Sequence, residues 1–249
     1  MASVTLNKIR GEFEQRGLRG VVTSAFERPG RWVRAYRELN KHQGFDQSAE
    51  LLSYARTLGS GWFNPGQVDS EICALLDRVR RLRPKVILEI GTANGGTLFM
   101  FTRVAAPDAM LISIDLPGGA FDGGYPRWRA SLYRRFALPG QSVHLLRDDS
   151  HDPAIIDALQ RSLNGLAVDF LFIDGGHTYD GVKKDHETFA PFVRRGGFVG
   201  FHDVHPIDDG LTEVPRYWRE IRRTVGGTEW IDSVKQSGYG IGVYEVGVT

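Results

Sequence analysis

The stretch VDFLFIDGGHTYDGVKKDHE, residues 168–187, places acid–base side chains directly after an apolar run. Asp174 ends the run, two glycines follow, and His177 comes three positions after the carboxylate. A carboxylate can bind a cation, and an imidazole can accept a proton near neutral pH. A second pair, His202 and Asp203, ends the apolar run GFVGFHD. These residues form either one reactive site or, for Asp174 and His177, only the cap of the following helix.

Short apolar runs of this kind recur along the chain and alternate with helical stretches. The runs are KVILEIG 85–91, MLISIDL 110–116, SVHLLRD 142–148, VDFLFID 168–174, GFVGFHD 197–203 and GIGVYEV 240–246. Alternating strands and helices indicate a parallel sheet that is covered on both faces. We therefore predict an α/β fold with a doubly wound, mostly parallel, Rossmann-like sheet of about seven strands. One of the last strands is expected to run antiparallel at the edge.

The chain length of 249 residues suits one large domain with a helical extension. Residues 1–60 are expected to form an N-terminal helical extension, serving as a lid or in oligomerisation, and residues 61–249 the main domain. The net charge of +1 gives no field that would attract nucleic acid or a membrane. Cys73 is the only cysteine, so an intramolecular disulfide is excluded. Without an apolar signal-peptide core or a membrane span, a cytoplasmic protein is expected.

The strand ends matter because ligands of open parallel sheets bind beyond the carboxyl ends of the strands. Five predicted strands end in or beside a carboxylate: Glu89, Asp115, Asp149, Asp174 and Asp203. An acidic residue placed like Asp115, about twenty residues past a glycine turn, can accept both hydroxyls of a ribose. NAD and S-adenosylmethionine both carry such a ribose. Asp149 and Ser150 could meet an adenine amine.

The glycine turn itself, EIGTANGGT at 89–97, joins the first strand to a helix. Glycine lets the backbone approach a ligand, and a helix N-terminus offers unpaired N–H groups. The glycines stand at 91, 95 and 96, which does not match the G-x-G-x-x-G dinucleotide fingerprint. Many tight strand-to-helix turns need glycine, so this turn alone is weak evidence for a cofactor.

The motifs VILEIGTANGGT, SIDLPGG, DDS, FIDGGHTYDGVKKD and FHDV together resemble class I S-adenosylmethionine-dependent methyltransferases. They resemble in particular the branch of metal-dependent sugar and natural-product O-methyltransferases and cephalosporin-hydroxylase-like proteins, over roughly residues 62–246. The resemblance implies that residues 61–249 bind the cofactor and catalyse the reaction. It assigns the amino-acid end of the cofactor to Glu89, Gly91, Thr92, Ala93, Gly95 and Gly96, the ribose to Asp115, and the adenine to Asp149 and Ser150. It assigns a divalent cation to Asp174 and Asp203. The third expected ligand is His202, at a position where several relatives have an acidic residue.

The chemistry of methyl transfer to oxygen fits these residues. A sugar hydroxyl is a poor nucleophile, and a divalent cation lowers its pKa and orients it. Oxygen ligands suit Mg²⁺, whereas a histidine ligand favours Mn²⁺ or Zn²⁺. His177 is the expected general base beside Asp174. We expect a metal-assisted O-methyltransferase that acts on a saccharide or glycoside. A homodimer is one possible assembly, and no nucleic-acid or membrane partner is expected. The alternatives are a non-catalytic cofactor-binding subunit and an NAD-dependent oxidoreductase, which the glycine spacing disfavours.

The remaining polar and aromatic residues allow weaker interpretations. The stretch LPGGAFDGGYPRWR, 116–129, is either a surface loop or a lid in which Tyr125 and Trp128 stack on a sugar. His205 is a spare base or ligand, or simply exposed. The three other histidines of the main domain are expected to be structural or exposed: His144, His151 and His186.

Overall fold

The computed structural model describes residue 30 and residues 32–39, 44–117 and 124–247. Most of the predicted N-terminal extension, residues 1–60, lies outside the described residues. The middle of the predicted lid, residues 118–123, also lies outside them.

Seven strands form one sheet in the order β3-β2-β1-β4-β5-β7-β6. They are β1 Val86–Ile90, β2 Met110–Ile114, β3 Ser142–Leu146, β4 Val168–Ile173, β5 Val193–His202, β6 Thr228–Trp230 and β7 Ile241–Glu245. Strands β1 to β5 are parallel, and β7 runs antiparallel to both β5 and β6. The predicted Rossmann-like sheet of seven mostly parallel strands is confirmed. The antiparallel strand was expected at the edge, but it lies one position inside, because the short β6 pairs with its outer side.

Eight helices accompany the sheet within the described ranges. They are α1 at 32–39, α2 Ser48–Gly61, α3 Asp69–Leu82, α4 Gly96–Val104, α5 Ala130–Tyr133, α6 Pro153–Leu163, α7 Tyr179–Phe189 and α8 Val214–Val225. Helix α3 forms because its apolar residues recur at helical spacing, and four of them are buried: Ile72, Leu75, Leu76 and Val79. None of the described helices is long and apolar enough to cross a membrane.

The apolar strands bury both of their faces against helices. In β4, Phe170 and Phe172 point into one core with helices α2, α3 and α4, while Leu171 and Ile173 point into a second core with α6, α7 and α8. Successive side chains of a strand point to opposite faces, which explains why this run is continuous rather than alternating. Each large apolar side chain buried in this way contributes roughly 1.5–3 kcal/mol. The cores thus fix the ends of β1, β2, β4 and β5, where the polar residues begin.

Candidate active site

Glu89, in β1, is a buried carboxyl group beside the glycine turn, residues 91–96. Its Oε2 accepts a hydrogen bond from Thr92 Oγ1 at 2.7 Å, whereas Oε1 has no partner among the described residues. Burial raises the pKa of Glu89 to about 8, although hydrogen bonds from Thr97 and Thr92 act to lower it. A ligand that donates a positively charged N–H here would satisfy the open oxygen and favour the ionised form.

Asp115 follows β2 and faces the same turn. It is 6% exposed, and the backbone N–H groups of Thr92 and Ala93 donate to its carboxylate. Its Oδ2 has no partner among the residues described. Burial raises the pKa of Asp115 to about 6, against the lowering effect of those N–H groups and of Arg147. Two buried carboxyl groups, each with one open oxygen, therefore flank Thr92, and they fit the ammonium and ribose hydroxyls of S-adenosylmethionine.

The glycines of the turn are required by neighbouring protein segments. Gly91 has a φ of +85°, and a Cβ there would overlap the carbonyl oxygen of Asp174. A Cβ on Gly96 would overlap the carbonyl oxygen of Phe63, and one on Gly95 would lie 2.8 Å from the ring of Tyr133. The glycines thus let the turn lie directly against the end of β4 and against the loop before α3. This role differs from direct cofactor contact, which stays a prediction.

Asp149 and Ser150 follow β3, on the far side of β2 from the glycine turn. Asp149 is exposed and accepts the backbone N–H of His151 at 2.9 Å. The Ser150 hydroxyl bonds to Asp185, a buried residue of α7, and His151 Nε2 lies 3.2 Å from the same carboxylate. Burial raises the pKa of Asp185, against these two partners. His151 thus contacts a buried carboxylate of α7, and the adenine contacts of Asp149 and Ser150 stay predictions.

Three further side chains meet where β4 and β5 end: Asp174, His177 and Asp203, here called the Asp–His cluster. One ligand atom of each lies within 4.8 Å of the others, and His177 Nε2 is 3.6 Å from Asp203 Oδ2. The two carboxylates meet because β4 and β5 are neighbouring parallel strands. Asp203 has a φ of +58°, a left-handed conformation that costs a non-glycine residue on the order of 1–3 kcal/mol. The fold maintains this strain at a residue whose carboxylate points into the cluster.

The cap of α7 excludes one of the two interpretations of Asp174 and His177. The N-cap of α7 is Thr178, whose side chain accepts the backbone N–H of Gly181. Asp174 and His177 are thus not needed as caps, and they lie in the cluster instead.

His202, the last residue of β5, contacts both carboxylates of the cluster. Its Nδ1 lies 3.1 Å from Asp174 Oδ1 and 3.4 Å from Asp203 Oδ2. Burial acts to lower the pKa of His202, but the two carboxylates outweigh burial and raise it well above its ordinary value. Burial acts in turn to raise the pKa of Asp203, and His202 and His177 hold it below its usual range. The geometry places His177 among the candidate ligand atoms and His202 as a hydrogen-bond donor, and the ligand role of His202 stays a prediction.

Gln67 is a site residue that the sequence did not reveal. Its Nε2 donates to Asp174 Oδ2 at 3.0 Å from a loop 107 positions earlier in the chain. A lone glutamine in a loop carries no pattern, so no sequence signal could have identified this contact.

Of the two aromatic residues that were predicted to stack on a sugar, Tyr125 is buried and Trp128 is exposed. Tyr125 is 2% exposed and packs on Tyr133 with ring centroids 4.5 Å apart, so its ring is not available to an acceptor. Trp128 is exposed and contacts Trp62 at 5.3 Å. His205 is half-buried and lies outside the Asp–His cluster.

Comparisons with known proteins agree with this geometry. Residues 88–204 match the family model described as a methyltransferase domain. Uncharacterized protein y4gI of Sinorhizobium fredii is 31% identical over 150 residues, which are 57% of this chain and 16% of that protein. Uncharacterized protein R132 of Acanthamoeba polyphaga mimivirus is 36% identical over 116 residues, 47% of this chain and 50% of that protein. The chain spans at most half the length of these two relatives.

The fold is shared with a solved methyltransferase. The O-methyltransferase TomG from Streptomyces achromogenes, involved in tomaymycin synthesis and solved in complex with S-adenosylmethionine, has a TM-score of 0.52. The two proteins are 18% identical, over 86% of this chain and 95% of that one. Residues 88–204 are thus similar to a methyltransferase domain, and the described chain shares the fold of TomG.

Proposed function

We propose that this protein transfers a methyl group from S-adenosylmethionine to a hydroxyl of a small molecule, assisted by a divalent cation. The observation that carries the proposal is the position of the Asp–His cluster beside the glycine turn. The N–H of Asp174 donates to the carbonyl of Ile90 at 2.8 Å, and Gly91 lies against the Asp174 carbonyl. A cofactor on the turn and an acceptor at the cluster would therefore be close together, which is the main requirement of an in-line displacement.

The cofactor would be held by the two buried carboxyl groups. The open oxygen of Glu89 would accept from the ammonium of S-adenosylmethionine, and the open oxygen of Asp115 from its ribose hydroxyls. Charge-assisted hydrogen bonds of this kind are stronger than those between neutral groups. The backbone of Thr92 and Ala93 fixes Asp115 for this contact.

The donor set of the Asp–His cluster suits Mg²⁺ or Mn²⁺, since it offers carboxylate oxygens and one imidazole. Asp174 and Asp203 would hold the cation. When bound, such a cation supplies positive charge that lowers the pKa of an acceptor hydroxyl. Buried His202 orients both carboxylates through Nδ1.

His177 is proposed as the general base. Its Nε2 is 3.6 Å from Asp203, and its side chain is 22% exposed, so a hydroxyl held at the carboxylates is within its reach. The nitrogen would take the hydroxyl proton as the oxygen attacks the methyl group, whose bond to the sulfonium sulfur breaks so that S-adenosylhomocysteine leaves. The competing role for His177 is that of a third ligand to the cation, which its place in the cluster also permits.

The proposed acceptor is a saccharide or a glycoside. This part rests on the resemblance of IDGGHTYDGVKKD and FHDV to sugar and natural-product O-methyltransferases. TomG, which shares the fold, is described as acting in tomaymycin synthesis, so one neighbour serves natural-product chemistry.

The test is a methyl-transfer assay with methyl-labelled S-adenosylmethionine and a panel of saccharides, glycosides and phenols. We expect label on an oxygen of a saccharide or glycoside with Mg²⁺ or Mn²⁺, and none with a chelator. Asp115→Ala serves as the control with weakened cofactor binding. Full activity in metal-stripped protein would remove the cation from the mechanism. Binding of NAD in place of S-adenosylmethionine, or cofactor binding without turnover on any acceptor, would favour the two alternative functions.

A further inference from the structure

Gln67 reaches the Asp–His cluster from outside residues 88–204, which match the methyltransferase family model. The residue lies in the loop between α2 and α3 and is 8% exposed. Its Nε2 donates to Asp174 Oδ2 at 3.0 Å, and its Oε1 is buried without a partner among the described residues. A buried amide with an unmatched oxygen costs about 1–3 kcal/mol, so stability alone does not favour glutamine here.

The loop holds Gln67 in one place. Phe63 is fully buried and packs on Tyr133 and Phe136, with ring centroids 6.0 Å and 5.2 Å away. From α2, Arg56 Nη2 donates to the backbone carbonyl of Gln67 at 3.3 Å. An orienting side chain needs a rigid support of this kind to be effective.

Gln67 and His202 contact Asp174 from different sides. Gln67 donates to Oδ2, and His202 Nδ1 lies 3.1 Å from Oδ1, so each oxygen of the carboxylate has one donor. Two donors on two oxygens fix the rotation of the carboxylate. The amide is neutral, so it orients the negative charge of Asp174 without cancelling it.

We infer that Gln67 is a positioning residue that orients Asp174 toward the divalent cation. The inference rests on the proposed function, because it gives Asp174 the role of a metal ligand. Partners of metal ligands typically change metal affinity or activity by 10–100-fold when they are replaced. The loop before α3 would thus complete a site whose other residues lie within the matched residues 88–204.

The test is Gln67→Met, which keeps the length of the side chain and removes the amide. We expect the Kd for Mn²⁺, measured by electron paramagnetic resonance, to rise by about 10–100-fold. Affinity for S-adenosylmethionine should stay unchanged, because Gln67 does not contact Glu89 or Asp115. The thermal midpoint should change little, because the lost hydrogen bond to Asp174 is offset by removal of the unmatched buried oxygen. Turnover should fall at low Mn²⁺ and recover at high Mn²⁺, which general structural damage would not produce.

Gln141→Met is the matched control. Gln141 Nε2 donates to the carbonyls of Thr102 and Ala106, and Oε1 accepts the N–H of Leu138, at 2.9–3.0 Å. The same substitution there removes three hydrogen bonds away from the Asp–His cluster. It should lower the thermal midpoint and leave the Kd for Mn²⁺ unchanged.

Three results would overturn the inference. The first is a Gln67→Met protein that binds Mn²⁺ as tightly as the wild type, and the second is an equal loss of Mn²⁺ affinity in Gln141→Met. The third is a wild-type protein that binds S-adenosylmethionine but no Mn²⁺, which refutes the proposed metal role together with the inference. If Gln67→Met does not fold, Gln67→Asn replaces it, because its shorter side chain keeps the amide but cannot reach Asp174. The same loss of Mn²⁺ affinity is then expected.

Discussion

At the scale of single residues, the buried carboxyl groups of Glu89 and Asp115, the proposed cofactor site, differ in their protonation state. Burial raises the pKa of Glu89 to about 8 and that of Asp115 to about 6. At pH 7, Glu89 is therefore mostly protonated, whereas Asp115 is mostly ionised. Both pKa values are raised by burial, and the donors of a bound cofactor would offset this effect.

Cofactor binding should release a proton. The ammonium of S-adenosylmethionine would stabilise ionised Glu89 and lower its pKa, so about one proton per chain should leave at pH 7. Titration calorimetry in buffers of different ionisation enthalpy measures this release directly. Glu89→Gln should bind without it. A binding heat that does not depend on the buffer would contradict the ammonium contact.

Asp115→Ala should weaken binding of S-adenosylmethionine by about 1.5–3 kcal/mol, which is roughly 10–150-fold in Kd. The substitution removes the charged acceptor for the ribose hydroxyls. Calorimetric titration of the folded variant gives the affinity, with circular dichroism as the check on folding. An unchanged Kd would sink the ribose assignment.

His177→Ala should lower turnover by about 10²–10⁴-fold, the usual contribution of a positioned general base. Binding of Mn²⁺ and of S-adenosylmethionine should persist, because the two carboxylates remain. The affinities for Mn²⁺ and S-adenosylmethionine are measured on the same protein as the turnover number. Near-normal turnover would exclude the base role, and lost Mn²⁺ binding would instead identify His177 as a ligand.

At the scale of elements, His186 joins three pieces of the second core. Its Nδ1 lies 2.7 Å from the hydroxyl of Tyr217 in α8, and its Nε2 lies 2.7 Å from that of Tyr244 in β7. Burial lowers the pKa of His186 to about 4. The neutral ring can donate to one tyrosine and accept from the other, so it satisfies both hydroxyls.

The low pKa of His186 predicts a pH dependence of stability. The folded protein keeps the ring neutral, while the unfolded chain takes up a proton below about pH 6.5. The stability contribution is therefore present above about pH 6.5 and is lost as the pH falls toward 4, by up to roughly 3 kcal/mol. Urea unfolding of the wild type and of His186→Gln between these pH values measures the difference. Parallel pH profiles for the two proteins would exclude His186 as the cause.

Element prediction from sequence succeeded where periodicity was strong. Helix α3, Asp69–Leu82, can be predicted from the sequence because its apolar residues repeat at helical spacing. Strand β6 was missed, since Thr228–Trp230 has three residues and no alternation to detect. Its absence from the prediction also explains why β7 was expected at the edge of the sheet.

At the scale of the whole molecule, the segment before the matched domain belongs to the same core. Leu51, Leu52 and Leu58 of α2 are buried with α3 and α4, and the following loop supplies Gln67. The predicted boundary near residue 60, the homodimer and the cytoplasmic location stay predictions.

Strand ends could be read from the sequence because the chemistry of parallel sheets concentrates there. Asp115, Asp174 and Asp203 follow apolar runs, so their meeting at one edge follows from topology. The sequence could not predict which of His177 and His202 joins the Asp–His cluster and which donates to its carboxylates. That choice depends on which ring nitrogen faces which carboxylate. The contact of Gln67 spans 107 positions and depends on the packing of a loop.

The central claim is the proposal that Asp174 and Asp203 hold a divalent cation. The most direct measurement is Mn²⁺ binding by electron paramagnetic resonance to the wild type, Asp174→Asn and Asp203→Asn. The exposed residue Asp157 of α6 provides Asp157→Asn as the charge-matched control. We predict that each wild-type chain binds one Mn²⁺ and that Asp174→Asn and Asp203→Asn bind it at least about tenfold more weakly. The affinity of both variants for S-adenosylmethionine should be unchanged. A wild-type protein without Mn²⁺ binding, or cluster variants that bind Mn²⁺ like Asp157→Asn, would contradict the account.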